Sequence, residues 1–405
     1  MDAAAQQQFH EQSPHNAVRL ELPRDLPGDD ERENRYTRAA RTLAAWRQEG
    51  ILRRDESPSL YRYAQGFRDA TGAVRVRTGV LALLKLEEFA AGVVLPHEET
   101  FPHHKEDRFR LLSACRTQIS PIFGLFQSSQ PDLWRGLAER PEPPAVDFRD
   151  EDGVRHQLAP LADRELLAAC AADLRDRQVF IADGHHRYET ALRYRAERRA
   201  AESPGTEAWF DYVMILLVEM GDPGLAVFPT HRLIRLPEEA WGAAGEALSR
   251  HFRIEPFPIP EGTAAGAVLE ARAVRGTLVL VPPGRSKALA LRLADPDAMA
   301  RAAPERSAAW RDLDVAVLHR LALPCLQQVA GVKPEISYTR DPEEALATAR
   351  RGEAGAAFVA GATVADLRAV SLGGERMPEK STFFFPKART GLVFHGEAGG
   401  ADADL

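Results

Sequence analysis

The most informative segment of the sequence is Val179-Phe180-Ile181-Ala182-Asp183-Gly184-His185-His186-Arg187-Tyr188-Glu189-Thr190-Ala191-Leu192. An apolar run ends in Asp183-Gly184 and a helix-forming segment follows, an order that predicts a strand, a tight turn and a helix start. Gly184 permits the sharp turn and the close approach of a ligand. His185, His186 and Arg187 then fall in the first helical turn, where unpaired N–H groups and the helix dipole favour an anion. The pattern therefore indicates a phosphate site.

The structural alternative is that Asp183 only caps the helix and that the two histidines are surface or core residues. Five polar residues packed between an apolar strand and a helix favour the functional interpretation over this alternative. The helix that follows is rich in arginine, and most of these arginines are interpreted as a solvent face paired with glutamates of the same helix.

Two further polar clusters stand out. One spans residues 97–108 and contains His97, Glu98, Lys105 and Arg108. Prolines at positions 96 and 102 make part of it a loop, where functional residues concentrate, although a solvated helix face is the alternative. The other is Arg376-Met-Pro-Glu-Lys-Ser-Thr-Phe-Phe-Phe-Pro-Lys387, in which the side chains suited to hold a phosphate or carboxylate are Lys380, Ser381 and Lys387.

A shorter group, Thr230-His231-Arg232, repeats the chemistry of the central stretch with one hydroxyl and two potential cations. Core packing and ligand contact are equally compatible with it. The N-terminal residues Val18 to Leu22 alternate between apolar and polar side chains, which predicts a strand.

The composition limits the classes of function. The 405 residues suffice for two domains, and 52 basic against 59 acidic side chains give a net charge of −7. This acidic balance and the lack of a helix-turn-helix signal count against nucleic acid as a partner. The three cysteines are scattered, without metal-site spacing, and read as reduced cytosolic thiols. With no apolar run of membrane-spanning length and no hydrophobic signal core, we predict a cytoplasmic protein without a membrane partner.

The segment Ala182-Asp-Gly-His-His-Arg-Tyr-Glu-Thr-Ala191 resembles the signature of a bacterial and archaeal family, domain of unknown function 1015. The resemblance covers nearly the whole chain. It includes the family's Pro-His-Glu-x-Thr and Lys-x-Asp-Arg patterns, its Pro-Thr-His-Arg and its Met-Pro-x-Lys-Ser-Thr. Within the signature, Asp183 to Arg187 is similar to the phosphate-binding motif of the ParB/sulfiredoxin superfamily, which includes DNA-partition proteins, sulfiredoxins and archaeal free-serine kinases.

Relatives in the family usually begin earlier, with a Pro-Pro-Tyr-Asp-Val-type segment that this sequence lacks. We expect either a start codon placed too far downstream or the loss of part of the first element. From the resemblance and the alternating elements we predict an α+β fold with mixed sheets. A ParB/sulfiredoxin-like catalytic region would span residues 1–235, an inserted α/β module 236–320, a C-terminal α/β segment completing the site 321–396, and a disordered tail 397–405.

The resemblance and the residue types together predict a small-molecule phosphotransferase similar to free-serine kinases. Its donor would be ATP or ADP with Mg²⁺, and its acceptor a small molecule with a hydroxyl group, free serine being one example. Cations and helix N–H groups neutralise phosphates in such reactions, and a carboxylate accepts the proton of the nucleophile. The sequence contains no Gly-x-x-x-x-Gly-Lys-Ser/Thr loop, no protein-kinase motif set and no Gly-x-Gly-x-x-Gly, which excludes the common nucleotide folds.

The predicted site residues have three roles. The catalytic residues are Glu98 as the base, Asp183 and His186, and Asp183 is also the metal ligand. The residues expected to hold cofactor or substrate are Gly184, His185, Arg187, Lys105, Arg108, His231, Arg232, Lys380, Ser381 and Lys387.

Two other functions remain open at this point. A metal-dependent hydrolase would use Asp183, His185, His186 and His97 as ligands, because neutral histidine with carboxylate suits zinc, manganese or iron. No His-x-x-x-His spacing supports this set. A non-catalytic ParB-like protein would bind a nucleotide without turnover.

Overall fold

The structure, a computed structural model, describes residues 3–69, 72–99, 102–140, 142–201 and 207–397, and for residues 3 and 102–104 it describes the backbone only. The predicted disordered tail from residue 398 onward and Thr100 of the second polar cluster lie outside the described residues. The chain forms two units. The first comprises Met1–Pro96, Thr100–Leu225 and Pro386–Leu405, and the second comprises His97–Glu99 and Ala226–Phe385.

The first unit is built on a mixed sheet. Its strands are β1 (Leu60–Arg68), β2 (Val74–Lys85), β3 (Val94–Leu95), β4 (Thr117–Gln118), β5 (Ile122–Phe126), β6 (Val146–Arg149), β7 (Arg155–Leu161), β8 (Val179–Asp183) and β9 (Tyr212–Glu219). Among the described residues, eight of them join in the order β3-β8-β5-β9-β2-β1-β7-β6. The β3–β8 and β5–β9 pairs are parallel, and the other neighbours are antiparallel. Strand β4 pairs with a C-terminal strand, His395–Gly396.

Helices flank this sheet. They are α1 (Ala3–Gln12), α2 (Val18–Glu21), α3 (Arg35–Gln48), α4 (Pro102–Cys115), α5 (Pro131–Ala138), α6 (Arg164–Leu174) and α7 (His185–Ala201), with 3-10 turns at Phe89–Ala91 and Trp209–Asp211. Apolar side chains of β5, β8 and β9 pack against α7 and α6 in one buried cluster. The turn-type sequences Asp69-Ala-Thr-Gly72 and Asp150-Glu-Asp-Gly153, each flanked by strand-like segments, predict two hairpins. These hairpins, β1–β2 and β6–β7, and the strand-turn-helix at residues 179–192 are confirmed.

The N-terminal prediction was wrong, because Val18 to Glu21 forms a short helix instead of a strand. The Asn16 side chain accepts a hydrogen bond from the Val18 amide at 3.0 Å, which starts a helical turn. Leu20 is then fully buried in a cluster with Leu43 and Trp46 of α3. Tertiary packing of this helix decided the conformation that alternation alone had misassigned.

A buried carboxylate fixes the loop that leads into α5. Asp173 accepts hydrogen bonds from the Ser128 hydroxyl at 2.6 Å, the Ser129 hydroxyl at 2.8 Å and the Trp134 indole at 2.8 Å. Burial by itself would raise the pKa of Asp173, but these donors outweigh it and lower the pKa to about 2. The carboxylate is therefore ionised throughout the neutral range and stabilises the loop.

The second unit contains an antiparallel sheet and its own core. Its strands are β10 (Ala226–Phe228), β11 (His231–Arg235), β12 (Phe252–Pro258), β13 (Leu278–Val281), β14 (Lys287–Leu293), β15 (Glu335–Thr339), β16 (Gly355–Phe358) and β17 (Phe383–Phe385). Six of these pair in the order β12-β14-β13-β16-β11-β15, and β10 pairs with β17. All the pairs are antiparallel.

The helices of the second unit alternate with strands except at residues 298–330, where four helices follow one another. They are α8 (Glu238–Ser249), α9 (Ala265–Arg272), α10 (Ala298–Ala302), α11 (Ala308–Arg311), α12 (Asp314–Val317), α13 (Leu323–Ala330), α14 (Pro342–Arg350) and α15 (Val364–Leu372), with a π-helical turn at Leu318–Ala322. The α+β class with mixed sheets is confirmed. The second unit takes in the predicted 236–320 module and the larger part of the 321–396 segment, which divides after Phe385.

No helix in the part of the chain that the structure describes is both long and apolar enough to cross a membrane.

Candidate functional site

The central stretch forms its turn at Gly184, between the end of β8 and the start of α7. Gly184 has a φ of +91°, a region that residues with a side chain rarely adopt. A Cβ atom at this position would lie 2.9 Å from Ile122 Cγ2 and 3.0 Å from Arg187 Nη2. Glycine is therefore required here both by the backbone conformation and by the space around it.

Asp183 lies at the centre of a group of charges in the first unit. Its Oδ2 atom is 3.4 Å from the Lys387 ammonium and 3.6 Å from Arg187 Nη2. The side chains of Asp183, Lys387 and Arg187 are 40%, 42% and 29% exposed. Two cations against one carboxylate leave this group with a net positive charge, which a solvent-borne anion can reach.

The electrostatics keep Asp183 ionised. Partial desolvation by the surrounding protein would raise the pKa of Asp183, but the charges of Lys387 and Arg187 and a hydrogen bond from the Gly184 amide outweigh this effect and lower the pKa. Arg187 is held in place by a hydrogen bond from Nη1 to the Pro121 carbonyl. An ionised carboxylate in this position can coordinate a metal ion that is also bound to phosphate oxygens, while the two cations contact the phosphate directly.

The two histidines of the motif lie in the first turn of α7, as predicted. His185 is buried, with 5% of its surface exposed, whereas His186 is partly exposed. His186 is thus the more accessible of the two to a ligand at Asp183. Their predicted roles stay predictions.

Sequence reasoning missed Arg77, a fully buried arginine on β2. Its Nη2 atom donates to Gln65 Oε1 and to the Pro386 carbonyl, and its guanidinium lies 4.7 Å from the centre of the Phe123 ring. Burial lowers the pKa of Arg77 to about 10, so the guanidinium stays charged at neutral pH, within the electrostatic reach of Asp183. The local sequence offers no signal for this burial, because Arg75 and Arg77 alternate with valines in the same way.

Lys105 and Arg108 of α4 form ion pairs with neighbouring helices. The Lys105 ammonium is 2.8 Å from Glu189 of α7, and Arg108 is 2.8 Å from Glu21 of α2. These pairs join α4 to its neighbours. Arg108 and Arg187 also line the same pocket in the first unit. Their contact with a phosphate stays a prediction.

In the second unit, Glu98 contacts the loop that carries Lys380 and Ser381. Glu98 Oε1 accepts a hydrogen bond from the Lys380 amide at 2.9 Å, and Lys380 has a φ of +55°, which is strained for a residue with a side chain. Ser381 is buried and its hydroxyl donates to the Pro378 carbonyl. The His97 ring, also buried, lies 2.8 Å from the Thr382 hydroxyl.

His231 and Arg232 are adjacent on β11, and both are fully buried. His231 Nε2 lies 2.8 Å from Glu270 Oε2. Arg232 Nη2 donates to the carbonyls of Glu379 and Lys380, at 3.0 Å each, and burial lowers its pKa to about 10. The structure thus gives both residues internal contacts, and a direct ligand contact would require them to become exposed.

The structure therefore brings together Asp183, Arg187 and Lys387 in the first unit, and Glu98, Lys380 and Arg232 in the second. Within the described ranges, no three His, Cys, Asp or Glu side chains cluster in a way that could hold a metal ion. A single carboxylate such as Asp183 remains suitable for Mg²⁺, which binds through one or two carboxylates together with substrate phosphates.

Comparison with known proteins gives one family match. The family model described as "Protein of unknown function (DUF1015)" matches residues 1–316. No curated protein matches the chain.

Some solved structures are similar at low scores. A free serine kinase in complex with AMP gives a TM-score of 0.38 at 15% identity, covering 75% of this chain and 86% of that chain. A conserved hypothetical protein from Pyrococcus furiosus gives 0.37 at 14%, covering 76% and 93%. SbnI from Staphylococcus aureus, with a C-terminal truncation, gives 0.38 at 10%, covering 78% and 87%. These TM-scores lie below 0.5, so the similarity carries no functional argument.

Proposed function

We propose that this chain, which belongs to the DUF1015 family, is a phosphotransferase that binds a nucleoside phosphate at Asp183 and transfers a phosphoryl group to a small hydroxyl compound. The observation that carries the proposal is the group formed by Asp183, Lys387 and Arg187 at the start of α7. Its net charge is positive, its side chains are partly exposed, and it stands at a helix N-terminus, which favours a phosphate for a separate reason.

Each residue of this group has a distinct task in phosphoryl transfer. Lys387 and Arg187 would contact phosphate oxygens and neutralise the charge that develops during transfer. Asp183 would hold Mg²⁺, which supplies further neutralisation of the phosphate oxygens when bound. His186 is the partly exposed polar neighbour in the same turn and would donate to a phosphate oxygen.

The base assigned to Glu98 is a separate part of the proposal. Its carboxylate already accepts a hydrogen bond from the Lys380 amide through one oxygen, Oε1. An ionised carboxylate has two oxygens and about four lone-pair sites, so accepting this bond leaves capacity for a proton from a hydroxyl substrate. If Glu98 serves only as an anchor, the protein binds a nucleotide without turnover, which is the non-catalytic alternative.

The first test is a thermal-shift and calorimetric screen of ATP, ADP, AMP and inorganic phosphate, with Mg²⁺ and with EDTA, on the wild type and His186→Ala. We expect a nucleotide to raise the melting temperature of the wild type by mass action, and His186→Ala to reduce that rise. Stabilisation that His186→Ala leaves unchanged would place the ligand elsewhere. Stabilisation by transition metals and by no nucleotide would refute the proposal and favour the hydrolase.

The second test is turnover. Wild-type protein with the stabilising nucleotide and Mg²⁺ is incubated with serine and with other small alcohols, and phosphorus NMR follows the appearance of a phosphate ester. We expect ester formation with at least one acceptor. Tight nucleotide binding without ester or free phosphate would establish the non-catalytic alternative.

A further inference from the structure

A closed ring of hydrogen bonds lies in the first unit, formed by Tyr63 of β1, His156 of β7, Asp150 and Arg389. The Tyr63 hydroxyl is 2.7 Å from His156 Nδ1, and His156 Nε2 is 2.8 Å from Asp150 Oδ2. Arg389 closes the ring, because its Nε donates to the same Oδ2 at 3.1 Å and its backbone amide donates to the Tyr63 hydroxyl at 3.3 Å.

One arrangement of protons satisfies every member of this ring. The Asp150 carboxylate can only accept, so His156 Nε2 carries the proton that is donated to it. Nδ1 of the neutral imidazole is then the acceptor of the Tyr63 hydroxyl proton, and the Tyr63 oxygen accepts from the Arg389 amide. Burial lowers the pKa of His156, and the charges of Arg389 and Arg77 lower it further, although Asp150 has the opposite effect. The imidazole of His156 is therefore neutral at pH 7. Burial alone would raise the pKa of Asp150, but the hydrogen bonds from His156 and Arg389 outweigh this effect and lower the pKa. Asp150 is therefore ionised.

The ring fixes a segment of the chain that carries Lys387. The next inward-facing residue of β1, Gln65, donates to the Lys387 carbonyl at 2.9 Å, and Arg77 donates to the Pro386 carbonyl. Tyr63 and Gln65 are two residues apart on one strand and so point to the same face. Backbone groups at positions 386, 387 and 389 are therefore all held by side chains of the sheet.

Tyr63 and His156 cannot themselves contact a ligand in this conformation. Each is 1% exposed, and burial raises the pKa of Tyr63 to about 12, which makes it a poor nucleophile or acid at neutral pH. Lysine has a long flexible side chain, so a cation that must meet a phosphate in one position benefits from a fixed backbone. The contacts of the ring serve this purpose, because they order the backbone while leaving the Lys387 ammonium 3.4 Å from Asp183.

We propose that Tyr63, His156 and Asp150 are positioning residues that hold segment 386–389 so that the Lys387 ammonium remains beside Asp183 to receive an anionic ligand. The role of the ligand rests on the proposed function. The fixing of the segment does not, and it is measured separately below.

The first measurement compares Tyr63→Phe with Tyr61→Phe. Tyr61 lies on the same strand, and its hydroxyl donates to Asp55 away from the ring, which makes it a matched control. We expect Tyr63→Phe to accelerate amide hydrogen exchange in peptides covering residues 386–391, because the Arg389 amide loses its acceptor. We also expect it to weaken MgATP binding about three- to tenfold, the usual effect of one lost neutral hydrogen bond, with Tyr61→Phe unchanged in both assays.

The second measurement asks whether the effect passes through Lys387. In a double-mutant cycle, Tyr63→Phe should weaken MgATP binding in the wild type but have no effect in the Lys387→Met background. A purely structural loss would add in full to the effect of Lys387→Met. That additive result would overturn the proposal.

The third measurement uses replacement of His156. The glutamine side chain has an oxygen that accepts and an NH2 group that donates, so it can bridge Tyr63 and Asp150, whereas the alanine side chain can do neither. We expect His156→Gln to retain both MgATP binding and the slow amide hydrogen exchange of residues 386–391. We expect His156→Ala to bind MgATP more weakly and to exchange faster in this segment. Equal behaviour of the two variants, or unchanged exchange in Tyr63→Phe, would refute the ring's role. Should the wild type bind no nucleotide, the proposed function fails and with it the ligand role, while the exchange result still decides whether the ring holds the segment.

Discussion

Replacing Lys387 with methionine is the sharpest test of the anion site. The substitution keeps an unbranched apolar side chain close in length to the lysine stem and removes the charged ammonium group. The ion pair with Asp183 spans 3.4 Å between two side chains that are about two-fifths exposed. Solvent screening limits such a pair to about 1 kcal/mol or less of folding free energy. A phosphate contact from a charged donor contributes about 1.5–3 kcal/mol, so its loss should weaken nucleotide binding about ten- to a hundredfold.

The assay is titration calorimetry of MgATP at low and at high salt, with chemical denaturation of each variant. We expect Lys387→Met to raise Kd by that factor while the unfolding free energy changes by about 1 kcal/mol at most. The salt dependence of Kd should also become shallower, because one charge contact is lost. Lys85→Met is the matched control, since Lys85 forms a comparable exposed ion pair with Glu207 in the same unit. Equal Kd values for the wild type and Lys387→Met would refute the site.

Four further outcomes are expected. In EDTA, Asp183→Asn should bind ATP as well as or better than the wild type, because the substitution removes a negative charge. With Mg²⁺ it should bind ATP more weakly than the wild type. Equal weakening in both titrations would argue against a metal-ligand role. Glu98→Gln retains an oxygen that can accept the Lys380 amide, so it should abolish ester formation in the turnover assay while calorimetry shows normal nucleotide binding; surviving turnover would disprove the base. Gly184→Ala should lose about 1–3 kcal/mol of unfolding free energy in urea. It should lose more than Gly153→Ala, whose φ of +75° is strained but whose Cβ would meet nothing within 4 Å, and equal losses would show that steric contact is irrelevant. Asp173→Asn should lose about 2 kcal/mol of unfolding free energy at pH 7. Because the pKa of Asp173 in the folded protein is lowered to about 2, its contribution in the wild type should be full above about pH 4 and fall as the pH drops toward 2. A wild-type stability that stays constant over this pH range would contradict the assignment.

Part of the site was predictable because it is encoded locally. The apolar run of β8, the Asp-Gly turn and the helix start at His185 lie within a few residues of each other, and their hydrogen bonds are made within the same stretch. The same reasoning predicted the β1–β2 and β6–β7 hairpins. It failed at Val18 to Glu21, where the side-chain acceptor of Asn16 and the burial of Leu20 outweigh an alternating pattern.

Side-chain environments were less predictable than elements. His231 and Arg232 carry the residue types of a ligand site, yet both are fully buried, and Arg232 anchors the carbonyls of the Lys380 loop. Arg77 is the opposite case, a residue near the site that was not predicted. Nothing in its local pattern distinguishes it from an exposed strand arginine such as Arg75. Residue type limits what a side chain can do chemically, but burial and partners depend on segments distant in the chain.

The local sequence is enough to predict the secondary structure around Gly184, the types of side chain that could bind an anion and the membership of a family. These follow from short-range hydrogen bonding, backbone sterics and the periodicity of apolar residues. The contact between Lys387 and Asp183 could not be predicted in this way, because it depends on a segment that is remote in sequence. The backbone of that segment is held by Tyr63, Gln65 and Arg77. Such contacts depend on the fold of the whole chain, which the pattern of neighbouring residues does not predict.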